Sequence, residues 1–282
     1  MLKLMYITNR PDVAEIAENA GVERIFVDME SIGKGLRQGG MNTVQCHHTT
    51  DDVRAIRACV KKAQVMVRCN PIHEATKDYC SSKEEIDAVI ENGADIIMLP
   101  YFKTAKEVET FVRLVDGRAK TLPLLETPEA ALAVDEILSV DGLDEIFIGL
   151  NDLSLGYKKK FMFEVLADGT VERLCNTFKR KGIPYGFGGI ASLGKGLLPS
   201  ERVITEHYRL GSTCAILSRS FCNVQRMENI QQIRKVFDDG LQAIRAFERG
   251  CEEKLRACDS EYFAENTKLV QAAVKQIVEN MA

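Results

Sequence analysis

Short apolar runs alternate with amphipathic segments along most of the chain. Runs such as Asp95–Leu99 and Glu145–Ile148 are largely apolar, which is typical of strands buried on both faces of a parallel sheet. The segments between the runs place apolar residues three or four positions apart, and this spacing predicts helices. Eight strands are predicted: Leu2–Thr8, Arg24–Asp28, Ala63–Arg68, Asp95–Leu99, Lys120–Leu125, Glu145–Ile148, Tyr185–Gly188 and Thr213–Leu217.

Helices fill most of the intervals between these strands, and several are followed by glycine, where helices commonly end. Eight strands that alternate with helices predict a (β/α)8 barrel, or TIM barrel, within the α/β class. A doubly wound open sheet is the alternative, but no GxGxxG motif follows the first strand. The predicted helices are Pro11–Ala20, Thr50–Lys62, Lys83–Asn92, Ala105–Val115, Pro128–Leu138, Gly169–Lys181 and Ser200–Leu210, and the glycines are Gly21, Gly93, Gly182 and Gly211.

The chain continues past the last strand with a charged, amphipathic helical pattern that exceeds the needs of one barrel helix. We therefore expect a barrel over residues 1–222 and a C-terminal helical extension over residues 223–282. The apolar positions of the extension favour packing on a partner subunit in a homo-oligomer, and packing on the barrel itself is the alternative. These positions are Ile230, Ile233, Val236, Phe237, Leu269, Val270, Ala273, Val274 and Ile277.

Charge and composition exclude several classes of protein. A net charge of −4 argues against nucleic acid as a partner. Apolar runs fall short of the roughly 20 residues that cross a bilayer, and the N-terminus lacks the layout of a signal peptide. The nine cysteines form no CxxC motif, so we expect reduced thiols in a cytoplasmic protein rather than disulfides or a structural zinc site.

Carboxylates follow two neighbouring predicted strands. Glu126 follows LPLL and Asp152 follows shortly after IFIG, so parallel strands would bring both acids to the same end of the sheet. An unpaired buried charge is costly, and an acid at the end of an apolar strand therefore requires a partner. Oxygen ligands that leave room for water and substrate suit Mg²⁺ or Mn²⁺. The alternative is that Thr127 and Asp152 are helix N-caps.

The other strand ends add charged residues to the same mouth of the barrel. Asp28 and Glu30 end the second strand, and Arg68 ends the third. A metal held by the two acids could chelate a 2-oxo acid and stabilise its enolate, with Arg68 donating to the developing oxyanion. Free N–H groups at the turn of Gly149 and Asn151 could bind the substrate carboxylate. The alternative for Arg68 is a structural ion pair with one acid.

Five motifs, VDMES, VRCN, IIMLP, LLETPEA and IFIGLNDLS, together resemble the HpcH/HpaI aldolase and citrate lyase β-subunit family over roughly residues 14–216. The resemblance implies a (β/α)8 barrel, a divalent metal, and cleavage or formation of a carbon–carbon bond through a pyruvate-like enolate. By position, Glu126 and Asp152 match the family's metal ligands, and Arg68 matches its enolate-stabilising arginine. The resemblance also implies exchange of a C-terminal helix between subunits, which fits the long extension.

Two positions depart from the family pattern. Ser31 occupies the position of a histidine that acts as acid and base in the family's pyruvate aldolases, and Leu124 occupies that of a glutamine. The general base is therefore open between Glu30 and His47, which precedes His48 on the following loop. His73 is a weaker candidate, and His207 lies in a helix pattern that indicates a structural role.

A second anionic group on the substrate is predicted from the far side of the mouth. A glycine-rich segment with Gly189 follows the seventh strand, and Arg219 follows the eighth, where barrels often bind phosphate. Lys195, Lys34 and Arg37 could add positive charge. The group could be a phosphate, a carboxylate or a CoA tail, and the alternative is that the glycines serve turn geometry alone.

The sequence thus predicts a metal-dependent carbon–carbon lyase of the aldolase type that acts on a 2-oxo acid or a related anionic substrate. A family member that has lost lyase chemistry and binds an anionic metabolite, as a sensor or a biosynthetic accessory, is the alternative. Chemistry on phosphoenolpyruvate through the same enolate is a third possibility.

Overall fold

Eight parallel strands close into a barrel in sequence order, and the first strand pairs with both the second and the eighth. The computed structural model describes residues 1–33, 46, 48–227 and 229–281. The (β/α)8 prediction is confirmed. The strands are β1 (Lys3–Ile7), β2 (Arg24–Asp28), β3 (Gln64–Arg68), β4 (Ile96–Leu99), β5 (Lys120–Leu125), β6 (Ile146–Ile148), β7 (Tyr185–Ile190) and β8 (Cys214–Leu217).

Helices surround the barrel close to where the apolar spacing predicts them. One predicted helix, 128–138, is instead two short helices that meet at Ala133. The four glycines expected after helices all have positive φ, which suits a residue without Cβ. The helices are α1 (Pro11–Ala20), α2 (Thr50–Cys59), α3 (Ser82–Glu91), α4 (Ala105–Val115), α5 (Pro128–Leu132), α6 (Val134–Ile137), α7 (Leu150–Gly156), α8 (Glu164–Ala167), α9 (Thr170–Lys181), α10 (Ser200–Leu210), α11 (Ile230–Arg256) and α12 (Ser260–Asn280).

Large apolar side chains fill the barrel interior, which is a packed core rather than a channel. Met5, Phe26, Met98 and Phe147 are among the buried residues of this cluster. At the amino end of the strands, the fully buried Arg24 donates two hydrogen bonds to the carboxylate of Glu145, at 2.5 and 2.9 Å. An ion pair buried there needs these bonds to offset its loss of hydration. The filled interior leaves the carboxyl ends of the strands as the place for chemistry.

β7 extends further than the sequence predicts. It runs to Ile190 rather than Gly188, with a register shift between Gly186 and Gly189. A Cβ at Gly186 would lie 2.4 Å from the carbonyl oxygen of Cys214, so glycine is needed for the close approach to β8. Gly189 consequently lies inside a strand, paired with Ile216, and not in the loop where an anion site was predicted.

The C-terminal helices pack on the barrel of their own chain. α11 contacts α1 and α10, and α12 contacts α10 and α8. Ile233, Phe237, Val270 and Val274, which we expected to contact a partner subunit, are buried in the main core of this chain. α11 and α12 therefore belong to the helical layer of the barrel, and the homo-oligomer remains a prediction that these four side chains do not support.

Reduced thiols remain an expectation for the nine cysteines. Cys80 and Cys258 are exposed, whereas five others are buried. Within the described residues, the structure contains no helix with the length and apolar character needed to cross a membrane.

Candidate active site

Arg68, at the carboxyl end of β3, is held by two carboxylates from the carboxyl end of β2. Its Nε and Nη2 donate to the two oxygens of Asp28, each at 2.8 Å, and its Nη1 lies 3.4 Å from Oε2 of Glu30. The guanidinium carbon is 5.6 Å from the centre of the Phe26 ring. Burial opposes the positive charge, yet Asp28, Glu30 and Glu126 together raise the pKa of Arg68 well above its ordinary value. Arg68 is therefore a permanent cation in a fixed orientation.

Glu126 and Asp152 come together at the ends of β5 and β6. Leu125 pairs with Ile148, and this register places Glu126 beside Gly149. A Cβ at Gly149 would lie 2.7 Å from Oε2 of Glu126, so the carboxylate rests directly against the glycine backbone. Oε1 of Glu126 accepts the N–H of Tyr101 at 3.0 Å.

Both acids line one cleft of about 440 Å³, whose walls also include Tyr101, Lys103 and Glu129. Glu126 is 3% exposed and Asp152 is 7% exposed, so each carboxylate is buried with one side open to the cleft. Two hard oxygen donors fit Mg²⁺ or Mn²⁺, whose other coordination positions water and substrate would fill. Across the part of the chain that the structure describes, there is no group of three or more acidic, histidine or cysteine side chains suited to a metal, so the candidate centre rests on this pair.

The helix-cap interpretation applies to Thr127 and not to the two acids. The Thr127 hydroxyl accepts the N–H of Ala130 at 3.2 Å and donates to the carbonyl of Phe102 at 2.8 Å. Gly149 occupies the N-cap position of α7, and Asp152 lies inside the first turn. Capping therefore leaves the two carboxylates to another role.

Gly149 and Asn151, the residues predicted to bind the substrate carboxylate, lie at the start of α7, just before Asp152. Asn151 is half-buried in the first turn of α7, and its carbonyl accepts the hydroxyl of Ser154 at 2.7 Å. This turn begins where the backbone of Gly149 contacts Glu126. The structure thus places the predicted carboxylate site next to the candidate metal centre.

The histidines divide into one at the mouth and two with structural contacts, while His47 lies outside the described residues. His48 accepts the N–H of Asp28 at Nδ1, at 3.0 Å. His73 makes ring contacts of 2.7 Å with the carbonyls of Pro71 and Cys80, within its own loop.

His207 is structural, as the helix pattern indicated. Its ring stacks on Phe187 with the centroids 3.8 Å apart, and Nδ1 lies 2.8 Å from the hydroxyl of Ser212. Burial lowers the pKa of His207 to about 3, so the ring is neutral over the physiological range.

Glu30 is the fully buried acid of the mouth, and Ser31 follows it at the point where the chain turns. The N–H and the hydroxyl of Ser31 both donate to Oδ1 of Asn70. Asn70 was not among the residues predicted for the site, although it is the last residue of the VRCN motif and follows Arg68 by two positions. Leu124, the other departure from the family pattern, is buried in the barrel interior.

The predicted second anion site has less structural support than the pair of Glu126 and Asp152, because its described basic residues are exposed. Arg219 and Lys195 are exposed, and Lys34 and Arg37 lie outside the described residues. The N–H of Gly194 donates to the carboxylate of Glu201 at 2.7 Å. This N–H group, which could have bound an anion of the substrate, is therefore already bonded to an acid of the same chain. A second anionic group on the substrate remains a prediction.

Known proteins are similar to this chain, some in sequence and some in fold. Over 205 residues it is 24% identical to a hydroxypyruvate/pyruvate aldolase of Roseobacter denitrificans, covering 60% of this chain and 72% of that one. A hydroxypyruvate/pyruvate aldolase of Rhizorhabdus wittichii is 40% identical over 77 residues, which cover 25% of this chain and 31% of that one. The crystal structure of an HpcH/HpaI aldolase of Desulfitobacterium hafniense superposes with a TM-score of 0.61 at 15% identity, covering 83% of this chain and 93% of that one.

The model of one protein family, HpcH/HpaI aldolase/citrate lyase, matches residues 3–186. This range contains the barrel from β1 into β7, and with it Asp28, Arg68, Glu126 and Asp152. The five sequence motifs and the matched range together lead to one assignment: the chain belongs to the HpcH/HpaI aldolase/citrate lyase family.

Proposed function

We propose that this protein is a divalent-metal-dependent aldolase that makes or breaks the bond between C3 and C4 of a 4-hydroxy-2-oxo acid, with the enolate of a 2-oxo acid as one partner. The observation that carries the proposal is the pair of buried carboxylates, Glu126 and Asp152, at the same mouth as the oriented Arg68. Family membership and the names of the two curated relatives support the aldolase class and a pyruvate-like substrate.

Glu126 and Asp152 would hold Mg²⁺ or Mn²⁺. When bound there, the metal would supply Lewis acidity to the carbonyl and carboxylate oxygens of the 2-oxo acid. The backbone at Gly149 and Asn151 would orient the carboxylate of the substrate next to this pair. The cleft leaves one side of the two acids open, and this side gives the substrate its access.

Arg68 would stabilise the negative charge that develops on the substrate oxygen. Two bonds to Asp28 fix the plane of the guanidinium before the substrate arrives, so little reorganisation accompanies the reaction. The acids that surround Arg68 also keep it charged, since they raise its pKa. The same contacts are structural ion pairs, and they prepare the arginine for catalysis.

Glu30 is the proton-handling group we propose for the mouth. It is fully buried and lies beside the arginine that would face the developing oxyanion. In cleavage, a carboxylate in this place can take the proton of the C4 hydroxyl while the C3–C4 bond breaks and the aldehyde leaves, and it can then deliver that proton to C3 of the enolate. In condensation, and in the exchange of pyruvate methyl protons, it takes the proton from C3. His47 is the second candidate, and the test below separates the two.

The test is a retro-aldol assay with 4-hydroxy-2-oxo acids, in which the released pyruvate is measured with added metal and after chelation. We expect cleavage that depends on Mg²⁺ or Mn²⁺ and is lost in Glu30→Gln, whereas His47→Gln retains it. Arg118→Ala removes an exposed arginine of the helical layer and is the control.

An absence of cleavage over a panel of 2-oxo acids with metal present would contradict the proposal. It would favour a family member that binds an anionic metabolite without lyase chemistry. Ser31, which replaces the family's histidine, is the residue that supports this second function.

A further inference from the structure

The side chain of Asn70 joins the ends of two strands at the mouth. Its Oδ1 accepts the backbone N–H groups of Ser31 and Ile32, both at 2.8 Å, and the hydroxyl of Ser31 at 3.3 Å. Residues 28–32, here called the acidic turn, carry Asp28 and Glu30. One amide oxygen thus fixes the backbone of the acidic turn relative to the strand that carries Arg68.

Glu85 of α3 sets the orientation of that amide. Nδ2 of Asn70 donates to Oε1 of Glu85 at 2.8 Å, and the backbone N–H of Asn70 lies 3.1 and 3.3 Å from the two carboxylate oxygens. Asn70 is 7% exposed and Glu85 is 5% exposed, so water competes little for these bonds. With its NH₂ group held by the carboxylate, the amide must present its oxygen to the acidic turn.

The acidic turn is held on both sides of Glu30, by the two hydrogen bonds between Arg68 and Asp28 and by the bonds of Asn70 to Ser31 and Ile32. Within it, the N–H of Glu30 donates to Oδ1 of Asp28 at 3.3 Å. The contact of Glu30 with Arg68 is also long, at 3.4 Å. Glu30 lies between these two sets of bonds. Loss of the Asn70 bonds would therefore change the distance between Glu30 and Arg68 while the barrel stays folded.

We propose that Asn70 and Glu85 are a positioning pair, which holds the Glu30 carboxylate against Arg68 and so sets the rate of proton transfer without touching the substrate. The inference rests on the proposed function, because Glu30 and Arg68 are the groups that the pair positions. Neither residue is near the two metal ligands in sequence, and the pair acts on the opposite half of the mouth.

An exchange of charge between the two side chains tests the proposal. Asn70→Asp alone places a second carboxylate against Glu85, and the repulsion displaces the acidic turn. Combining Asn70→Asp with Glu85→Gln restores the bond between the two side chains, since the glutamine NH₂ can donate to the new carboxylate while its oxygen accepts the backbone N–H of residue 70. Asn92→Asp adds the same charge at the other end of α3 and is the control.

The readouts are kcat and KM for metal-dependent cleavage, the Kd for Mn²⁺, and the thermal midpoint. We expect Asn70→Asp to lower kcat about 10- to 100-fold while KM and the Kd for Mn²⁺ stay close to the wild-type values. The double variant regains most of kcat. An unchanged kcat in Asn70→Asp would overturn the proposal, and so would a double variant that regains the thermal midpoint without regaining kcat.

Amide hydrogen exchange separates this proposal from the proposed function. Asn70→Ala removes the acceptor of two backbone N–H groups, so exchange at Ser31 and Ile32 becomes faster while exchange in α2 does not change. If the wild type cleaves no 2-oxo acid, the proposed function fails, and this measurement alone decides whether the pair holds the turn. Unchanged exchange at residues 31 and 32 would overturn the positioning pair.

Discussion

Arg68 and Asp28 face each other through two hydrogen bonds of 2.8 Å, which join Nε and Nη2 of the guanidinium to the two carboxylate oxygens. Such a fork fixes both the position and the plane of the arginine. The remaining Nη1 lies towards Glu30, at 3.4 Å. The arrangement gives the chain an oriented cation at the mouth of a barrel whose interior is apolar.

Asp28→Asn should therefore lower catalysis through Arg68. The amide cannot accept both hydrogen bonds of the fork, and a displaced arginine loses its alignment with the developing oxyanion. We expect kcat to fall about 100-fold, as displacements of about 1 Å do in active sites. Asp95→Asn breaks an Arg57–Asp95 contact of 2.8 Å at the other end of the strands and should leave kcat unchanged. Equal losses in the two variants would contradict the role of the fork.

Glu126→Gln should remove metal binding and activity together. An amide keeps the shape of the side chain and loses the charge that a divalent cation requires. Titration calorimetry with Mn²⁺ should show no binding to this variant. Glu129→Gln, on the rim of the same cleft and exposed, is the matched control and should bind Mn²⁺ as the wild type does. Weak binding in the control would place the metal elsewhere in the cleft.

Gly149→Ala should weaken the metal site through one added methyl group. The new Cβ would lie 2.7 Å from Oε2 and 2.8 Å from Cβ of Glu126, so the carboxylate must move. We expect the Kd for Mn²⁺ to rise about 10-fold or more, as when groups that orient metal ligands are changed. Gly250→Ala has nothing within 4 Å of its added Cβ and lies in α11, so it should stabilise the fold by about 0.5–1 kcal/mol. An unaltered Kd in Gly149→Ala would contradict ligation by Glu126.

His207 should make the protein less stable in acid. Its pKa is lowered to about 3 in the folded state, against 6.5 when it is unperturbed, so between about pH 3 and 6.5 the proton binds mainly to the unfolded chain. The contribution of His207 to the free energy of unfolding is fully present above pH 6.5 and is lost as the pH falls towards 3. At pH 5 this loss is on the order of 2 kcal/mol.

His207→Phe and His207→Asn test this assignment, because neither side chain titrates in this range. Phenylalanine keeps the stacking on Phe187, and asparagine keeps a polar atom for Ser212. In urea unfolding, the stability difference between wild type and each variant should shrink as the pH is lowered from 7 to 5. A difference that is constant with pH would contradict the lowered pKa.

The barrel could be predicted from the sequence because its strands are buried on both faces and its helices on one. A strand buried on both faces is a short continuous apolar run, whereas a helix buried on one face has apolar residues three or four positions apart. LPLL and IFIG are therefore recognisable as strands from their own residues. The meeting of two acids in one cleft could be predicted for a related reason. Glu126 and Asp152 follow such strands, and parallel strands bring their carboxyl ends together.

Other features depend on contacts that no local pattern contains. The apolar faces of α11 and α12 needed burial, but the pattern does not say whether the same chain or a partner provides it. Asn70 acquires its role from Ser31 and Glu85, which are distant in sequence. His48 likewise reaches the mouth through a backbone N–H of β2, whereas the sequence favoured its neighbour His47.

The central claim is that this chain generates an enolate from a 2-oxo acid at Glu126, Asp152, Arg68 and Glu30. Proton NMR of pyruvate in deuterium oxide measures that step alone, since exchange of the methyl protons needs no aldehyde. We expect exchange that requires Mg²⁺ or Mn²⁺, stops after chelation, and is absent in Glu126→Gln and Glu30→Gln. Metal-loaded wild-type protein that catalyses no exchange of pyruvate or other 2-oxo acids would contradict it.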